Sequence, residues 1–397
     1  MPGQSGAAGG RRMRVVVAPD SFKGSARAGE VARALAEGWL SVRADDDLVL
    51  LPMADGGEGT LEAIATAHPA AERRPVVVLG PDDRPVTADW LLLTDAGIRT
   101  GVVELASTSG IELLAAQLPL TAHTRGFGQA IVAALDAGVD RLVLAIGGSA
   151  STDGGAGLLT ELGARLTDAG GTPIAAGAGG LASLAHVDLT GLRPQPRGGT
   201  LVLTDVTNPL LGATGAAAVF GPQKGLTTAD VMAADRSLGR FAGLVAQAAT
   251  GGPDAKRGVP SPAGAGAGAA GGAGFGLLVW GARLENGAAA VARELRLAEA
   301  IAGADLVITG EGRFDGQSEG GKVPAHVRDL AARAGVPVAL VAGTVEADPA
   351  GFAASLALVP ELAGSTAASI ADPRRWLVAA GARLAGWPVQ SGGESNR

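Results

Sequence analysis

The sequence has no cysteine and no tyrosine, and its aromatic residues amount to only 3%. Without cysteine there is no disulfide, no thiolate metal site and no cysteine nucleophile, and secretion gains no support. With so few aromatics, a core must be built from Ala, Val, Leu and Ile, with close backbone approaches at glycine. Long apolar runs are missing as well. The stretch 261–282 carries no charge, but it is mostly Gly and Ala and too weakly apolar to span a membrane. After Arg11 and Arg12 the apolar run is only Val15–Val17 before Pro19 and Asp20. A signal peptide needs about 7–15 apolar residues there. Positive charge is not in excess either. The net charge is −7, which argues against a nucleic-acid binder, since that would need a basic footprint. These absences describe a cytoplasmic protein that binds neither nucleic acid nor membrane.

What is present is length and glycine. The 397 residues suffice for two or three domains of about 100–200 residues each. Glycine occurs 63 times, more than twice its usual share of about 7%, without a collagen period. The excess implies many tight turns. Residues 1–12 and 388–397 read as disordered tails, with Met13 a candidate natural start, and 251–274 reads as a Gly/Pro/Ala-rich linker or mobile loop.

Between these segments, short β runs alternate with helical patterns, the signature of an α/β fold. A buried strand is expected at 14–18. A helix follows, capped by Ser25, with an apolar stripe through Val31, Leu35 and Trp39. Strands at 75–79, 86–92 and 102–105 follow with little helix between them, a mixed or antiparallel pattern. The βα rhythm returns with strands at 142–146 and 201–203, a helix at about 288–301, strands at 306–309 and 336–341, and a last helix opened by Asp372-Pro373. The change of rhythm near Pro75 and its return near Ala288 predict two dissimilar α/β domains. Segments 13–75 and 288–387 would form a doubly wound, Rossmann-like domain, interrupted by an inserted mixed-sheet α/β domain at 76–287, with a ligand cleft between them.

Ligands of open α/β sheets sit outside the carboxyl ends of the strands. Five loops there combine glycine with acids, and between them add hydroxyls and basic residues. They are 19–25 (PDSFKGS), 55–60 (DGGEGT), 147–155 (GGSASTDGG), 205–209 (DVTNP, continued by FGPQKG at 220–225), and 310–317 (GEGRFDGQ, followed by GGK at 320–322). Glycine lets backbone N–H groups converge on an anion, and a following helix N-terminus adds partial positive charge. Carboxylates hold Mg²⁺ through oxygen. Acid-and-glycine turns are common singly; five at strand ends point to a phosphate-handling site. Lysine usage agrees. The only lysines are Lys23, Lys224, Lys256 and Lys322, and three of them lie in these loops, where a compact ammonium acts as a point charge on phosphate.

Other chemistries fit poorly. The G-x-G-x-x-G at 266–271 follows a Pro/Gly stretch rather than a strand, so the dinucleotide reading lacks its context. The G-x-x-x-x-G-K at 316–322 has Val323 where an ordinary P-loop has Ser or Thr. His68, His123, His186 and His326 have no zinc spacing. A Ser-His-Asp hydrolase is not expected.

Residues 17–25 (VAPDSFKGS) closely resemble the opening motif of the bacterial glycerate kinase family, the glycerate 2-kinase, glyoxylate-pathway type. Residues 52–60 (PMADGGEGT) are similar to its second motif. The loop 147–157, Asn208-Pro209-Leu210, 220–225 and 310–317 with Gly321-Lys322 look like further family blocks in the expected order. The resemblance runs from about Met13 to Trp387. Ser151-Thr152 and extra Gly-Ala units before Gly271-Gly272 depart from the family pattern and touch only loop geometry. The resemblance implies ATP-dependent, Mg²⁺-assisted phosphorylation of D-glycerate, generally to 2-phosphoglycerate.

Phosphoryl transfer asks the protein to position reactants and neutralise charge. Lys23 and Arg313 are expected to engage the glycerate carboxylate or the moving phosphoryl group. Asp20, Asp205 and Asp315 are candidates for Mg²⁺ or for orienting the attacking hydroxyl. Ser21, Asp55, Glu58, Asn208 and Lys322 are the remaining substrate candidates, and Lys322 is also suited to neutralise phosphate. Gly147, Gly148, Ser149, Gly154, Gly155 and Lys224 would hold the nucleotide, with Asp153 and Asp205 near the metal. Another small hydroxy acid as substrate, a non-catalytic sugar-acid binder and a homodimer are left open.

Overall fold

The computed structural model describes residues 11–250, 259–316, 318 and 322–387. The expected tails, apart from Arg11 and Arg12, lie outside these residues, as do 251–258, Gln317, Gly320 and Gly321. The described strands are β1 (Arg14–Val17), β2 (Asp47–Leu50), β3 (Glu72–Leu79), β4 (Pro85–Asp95), β5 (Ile98–Glu104), β6 (Arg141–Ala145) and β7 (Arg165–Thr167). They continue with β8 (His186–Asp188), β9 (Thr200–Leu203), β10 (Arg283–Glu285), β11 (Leu306–Phe314), β12 (Val338–Val345) and β13 (Ala354–Ala357). The chain divides into two compact units: one holds the residues up to Met53 and from Ala292 onward, the other Ala54–Val291.

The first unit is built on a five-stranded sheet of order β13-β12-β11-β1-β2, parallel throughout. Its strands are near-continuous apolar runs, as parallel strands covered on both faces require; Val15, Val16 and Val17 are fully buried. From β1 the chain moves outward to β2, and from β11 it moves the other way to β12 and β13. The direction therefore reverses between β1 and β11, which makes that gap the topological switch point of the sheet. Helices Ala28–Val42 and Pro373–Ala385 pack on each other through Val31, Leu35, Trp39, Leu377 and Ala380. They approach so closely that a Cβ on Gly38 would lie 1.9 Å from the Val378 carbonyl, and one on Gly381 2.1 Å from that of Leu35. Asp372 caps the last helix as its sequence predicts, its carboxylate accepting from Arg375 N at 3.2 Å. Ser25 does not cap the first. Its hydroxyl donates to Phe22 O at 2.9 Å and closes the preceding turn, and the helix begins at Ala28, where Glu30 accepts from Arg27 N at 2.9 Å.

The second unit has a six-stranded sheet of order β10-β9-β6-β5-β4-β3. Strands β3, β4 and β5 are antiparallel, whereas β5, β6, β9 and β10 are parallel, giving the mixed sheet expected for the inserted domain. Its core gathers Trp90, Phe127, Ile131, Leu158, Phe241 and Phe275. Residues 54–75 read as part of the first domain because the strand–helix rhythm runs on through them. In the structure they belong to this unit, with Leu61 and Ile64 of helix Thr60–Ala67 packed on Leu91, Leu93 and Val102.

Two further elements differ from their sequence pattern. Residues 259–274 are not a linker. Ala267, Ala269, Gly271, Gly272 and Ala273 are buried in the second unit, and Gly268 N donates to Asn208 O at 2.9 Å. A Cβ on Gly268 would fall 2.1 Å from Pro209 O, so the small-residue composition serves packing. The helix expected at 288–301 is two helices, Gly287–Glu294 and Leu297–Ala302, parted by Arg296 at φ +52°. No helix among the described residues is long and apolar enough to cross a membrane.

Candidate active site

In the first unit the site residues gather at the carboxyl ends of β1 and β11. Ala18 N donates to Ile308 O and Asp20 N to Gly310 O, both at 2.8 Å, so the loop after β1 is laced to its neighbour strand. Asp20 is buried and accepts from Ser21 N at 2.6 Å. Lys23 is exposed two residues further on, and its backbone passes beside Gly312, where a Cβ would meet Lys23 N at 3.4 Å. The fifth loop of the sequence is partly strand: β11 continues through Phe314 because β12 extends alongside it as far as Val345. Arg313 is exposed and pairs with Glu346 at 2.6 Å and Asp315 at 3.4 Å. Lys322 begins helix Val323–Ala334 as its N-cap.

Among these groups sits Glu311, buried to 6% exposure. Burial pushes its carboxyl up to about 7, opposed by the Ser318 hydroxyl and by the charges of Lys322 and Lys23, and reinforced by Asp315. Its Oε1 has no hydrogen-bond partner among the described residues.

In the second unit the loops meet at the carboxyl ends of the adjacent parallel strands β5, β6 and β9. Gly147 N, just past β6, donates to Gly56 O at 2.9 Å. The two backbones touch, since a Cβ on Gly147 would lie 2.5 Å from Gly57 Cα. Asp55 is buried and accepts from Gly57 N at 3.0 Å, while Glu58 is exposed. Gly148 is exposed at φ +74°, forming the tip of the glycine-rich loop. Behind it, Lys224 is fully enclosed. Its ammonium donates to Ser149 Oγ at 2.7 Å and to Ser151 O at 2.6 Å. Burial draws it down to about 7, against the pull of Asp153.

Asp153 is fully buried. It accepts from Thr124 N and Oγ1, from Ser151 Oγ and from Gly155 N and Gly157 N. Gly154 N donates to Gly271 O at 3.0 Å. The N–H groups of Gly154 and Gly155 are therefore engaged within the chain, and the geometry gives this stretch the role of anchoring the loop. Asp205 follows β9 and is half-buried. Asn208 holds its own turn, with Nδ2 donating to Thr214 O at 2.8 Å.

Mg²⁺ is implied by the phosphate chemistry read from the loops. No three carboxylate or imidazole groups among the described residues cluster closely enough to cage a metal. That is compatible with Mg²⁺, which is commonly held by one or two carboxylates together with phosphate oxygens and water. Half-buried Asp205 suits that role; Asp153, already accepting from five protein donors, does not.

Two acids of this kind are not in the sequence-based set. Glu311 lies within the 310–317 motif, where nothing in the sequence sets it apart from Arg313 and Asp315. Glu104 ends β5 and is buried, and its carboxylate accepts from Leu61 N at 3.0 Å at the start of helix Thr60–Ala67. Burial pushes it up to about 7, with Glu58 adding to the rise and the backbone of Leu61, Gly59 and Thr60 opposing it. An acid closing an apolar strand run is the signal that would have found it.

The sequence profile of the glycerate kinase family matches residues 15–387, from β1 through the last helix. The chain belongs to the glycerate kinase family. It is an enzyme, a kinase of that family. It is 43% identical over 339 residues to the glycerate 2-kinase of Escherichia coli K12, covering 85% of this chain and 86% of that protein. It is 41% identical over 342 residues to the glycerate kinase of Bacillus subtilis 168, covering 85% and 86%. A crystal structure from Salmonella typhimurium LT2, assigned as glycerate kinase 2, superposes with a TM-score of 0.75 at 39% identity, covering 94% of this chain and 97% of that one. The α/β fold and the family membership read from the loop motifs are thus established.

Proposed function

We propose that the protein transfers the γ-phosphoryl group of ATP to a hydroxyl of D-glycerate, giving 2-phosphoglycerate. The observation that supports this most directly is the placing of two lysines beside a buried acid in a glycine-rich loop at a strand end: Lys23 and Lys322 beside Glu311. Cations neutralise phosphate, glycines admit backbone donors, and acids hold metal or proton.

In this reading Lys23 and Arg313 engage the glycerate carboxylate and the moving phosphoryl group, and Lys322 neutralises charge on it. Asp20 and Asp315 orient the acceptor together with Ser21. Gly147, Gly148 and Ser149 face the nucleotide phosphates, with Lys224 fixing Ser149 from behind and Gly154, Gly155 and Asp153 anchoring the loop. Asp55, Glu58 and Asn208 line the same edge of the second unit. Asp205 would hold Mg²⁺, whose chemistry is charge neutralisation on the phosphates. ATP as donor suits the cytoplasm.

Incubation with ATP, Mg²⁺ and D-glycerate, read by ³¹P NMR, should show ADP and the 2-phosphate isomer. Turnover of a different hydroxy acid with no turnover of D-glycerate would replace the substrate. ATP left intact with every acid tested would end the kinase reading.

A further inference from the structure

We propose that Glu311 is the general base of phosphoryl transfer, taking the proton of the attacking hydroxyl. This rests on the glycerate kinase reading above and adds to it the proton acceptor, for which the sequence offers several acids and no choice among them.

Position is the first argument. Glu311 lies on β11 past Thr309, which bonds across to Ala18 O at 2.9 Å. It therefore stands beside the β1–β11 switch point, where open α/β sheets place their ligands. Surroundings are the second. The loop after β1 brings Lys23, the N-cap of helix Val323–Ala334 brings Lys322, and the end of β11 brings Asp315. From β12 the residue in register is apolar Ala342. Two cations and one anion thus face a carboxylate whose burial disfavours charge. The result is a group poised near neutral pH, where a general base is most effective.

Satisfaction is the third argument. A buried carboxylate oxygen without a donor is costly in a folded protein. Glu311 Oε1 is in that state among the described residues, and an attacking hydroxyl is a donor that would satisfy it. The competing acids are already engaged: Asp20 accepts from Ser21 N at 2.6 Å, and Asp315 pairs with Arg313.

The step balances without a further reagent. The glycerate oxygen forms a bond to the γ-phosphorus as the bond from that phosphorus to the bridging oxygen breaks, and ADP leaves with the electron pair. The hydroxyl proton moves to Glu311 and passes to water on product release.

The test compares wild type, E311Q and E311D for kcat and KM from pH 5 to 9, with D-glycerate binding by calorimetry and thermal unfolding alongside. E311Q should lose about 10²–10⁴-fold in kcat, the usual worth of a general base, while still binding D-glycerate. The acid limb of the wild-type kcat near pH 7 should vanish in E311Q. E311D should recover part of the rate with its limb moved to lower pH. An E311Q enzyme within tenfold of wild type, or one keeping the same acid limb, overturns the assignment and leaves the kinase reading standing. If E311Q does not fold, a wild-type kcat flat from pH 5 to 8, or an E311D limb unmoved, overturns it. Wild type inert toward ATP and D-glycerate overturns the kinase reading itself.

Discussion

Single residues in this protein divide by burial. Asp153 receives both oxygens' worth of donors from its own chain, including Thr124 Oγ1 at 2.8 Å and Gly155 N at 3.0 Å. Asp153→Ala leaves several buried donors unsatisfied, at about 1–3 kcal/mol each. We expect a clear fall in the urea midpoint of unfolding, and Asp153→Asn should recover little, because its amide places N–H groups against donors. An unchanged midpoint in either variant would remove the anchoring role. Lys23 is exposed instead, on a loop held by backbone bonds. Lys23→Ala should leave the thermal midpoint near wild type and lower kcat/KM at least tenfold in the coupled ADP assay. Composition alone could not tell these two kinds of residue apart: loop acids and loop lysines look alike until burial is known.

At the scale of elements, the strand runs were legible because parallel strands are apolar throughout, and the cap at Asp372-Pro373 because its chemistry is local. What stayed illegible was decided by distant partners. Whether 310–314 is loop or strand depends on how far β12 extends beside it. Whether 259–274 is linker or packing depends on Pro209 and Asn208, some sixty residues earlier. The same holds for loop convergence. Two glycine-rich motifs 90 residues apart meet because Gly147 and Gly57 have no side chains to keep them apart. Gly147→Val should separate these loops, lower stability by about 1–3 kcal/mol as overpacking does, and reduce kcat/KM. Gly243, inside helix Thr228–Thr250 with open space around its Cα, supplies the control. Gly243→Ala should raise stability by up to about 1 kcal/mol through helix propensity alone. Equal effects of the two substitutions on thermal unfolding would refute the close-approach argument.

For the whole molecule, the scarcity of groups that titrate in the alkaline range turns its buried ionisable residues into a readable pH signature. Glu104 and Glu311 are raised to about 7 in the fold. Between their ordinary range near 4.5 and pH 7 the folded state therefore binds more protons than the unfolded chain, and stability falls as pH rises. Lys224 is lowered to about 7 from 10.5. From pH 7 to about 10.5 the unfolded chain binds the extra proton, so stability rises with pH. The three groups together give a minimum near neutrality. With no cysteine, no tyrosine and only four lysines, little else titrates in the upper window, so its slope belongs chiefly to Lys224. Guanidinium unfolding at pH 7, 8, 9 and 10 should show wild type gaining stability and Lys224→Met holding nearly level. Parallel slopes in the two proteins would mean that the Lys224 ammonium keeps its charge in the fold, and that the pocket behind Ser149 is wetter than its packing indicates.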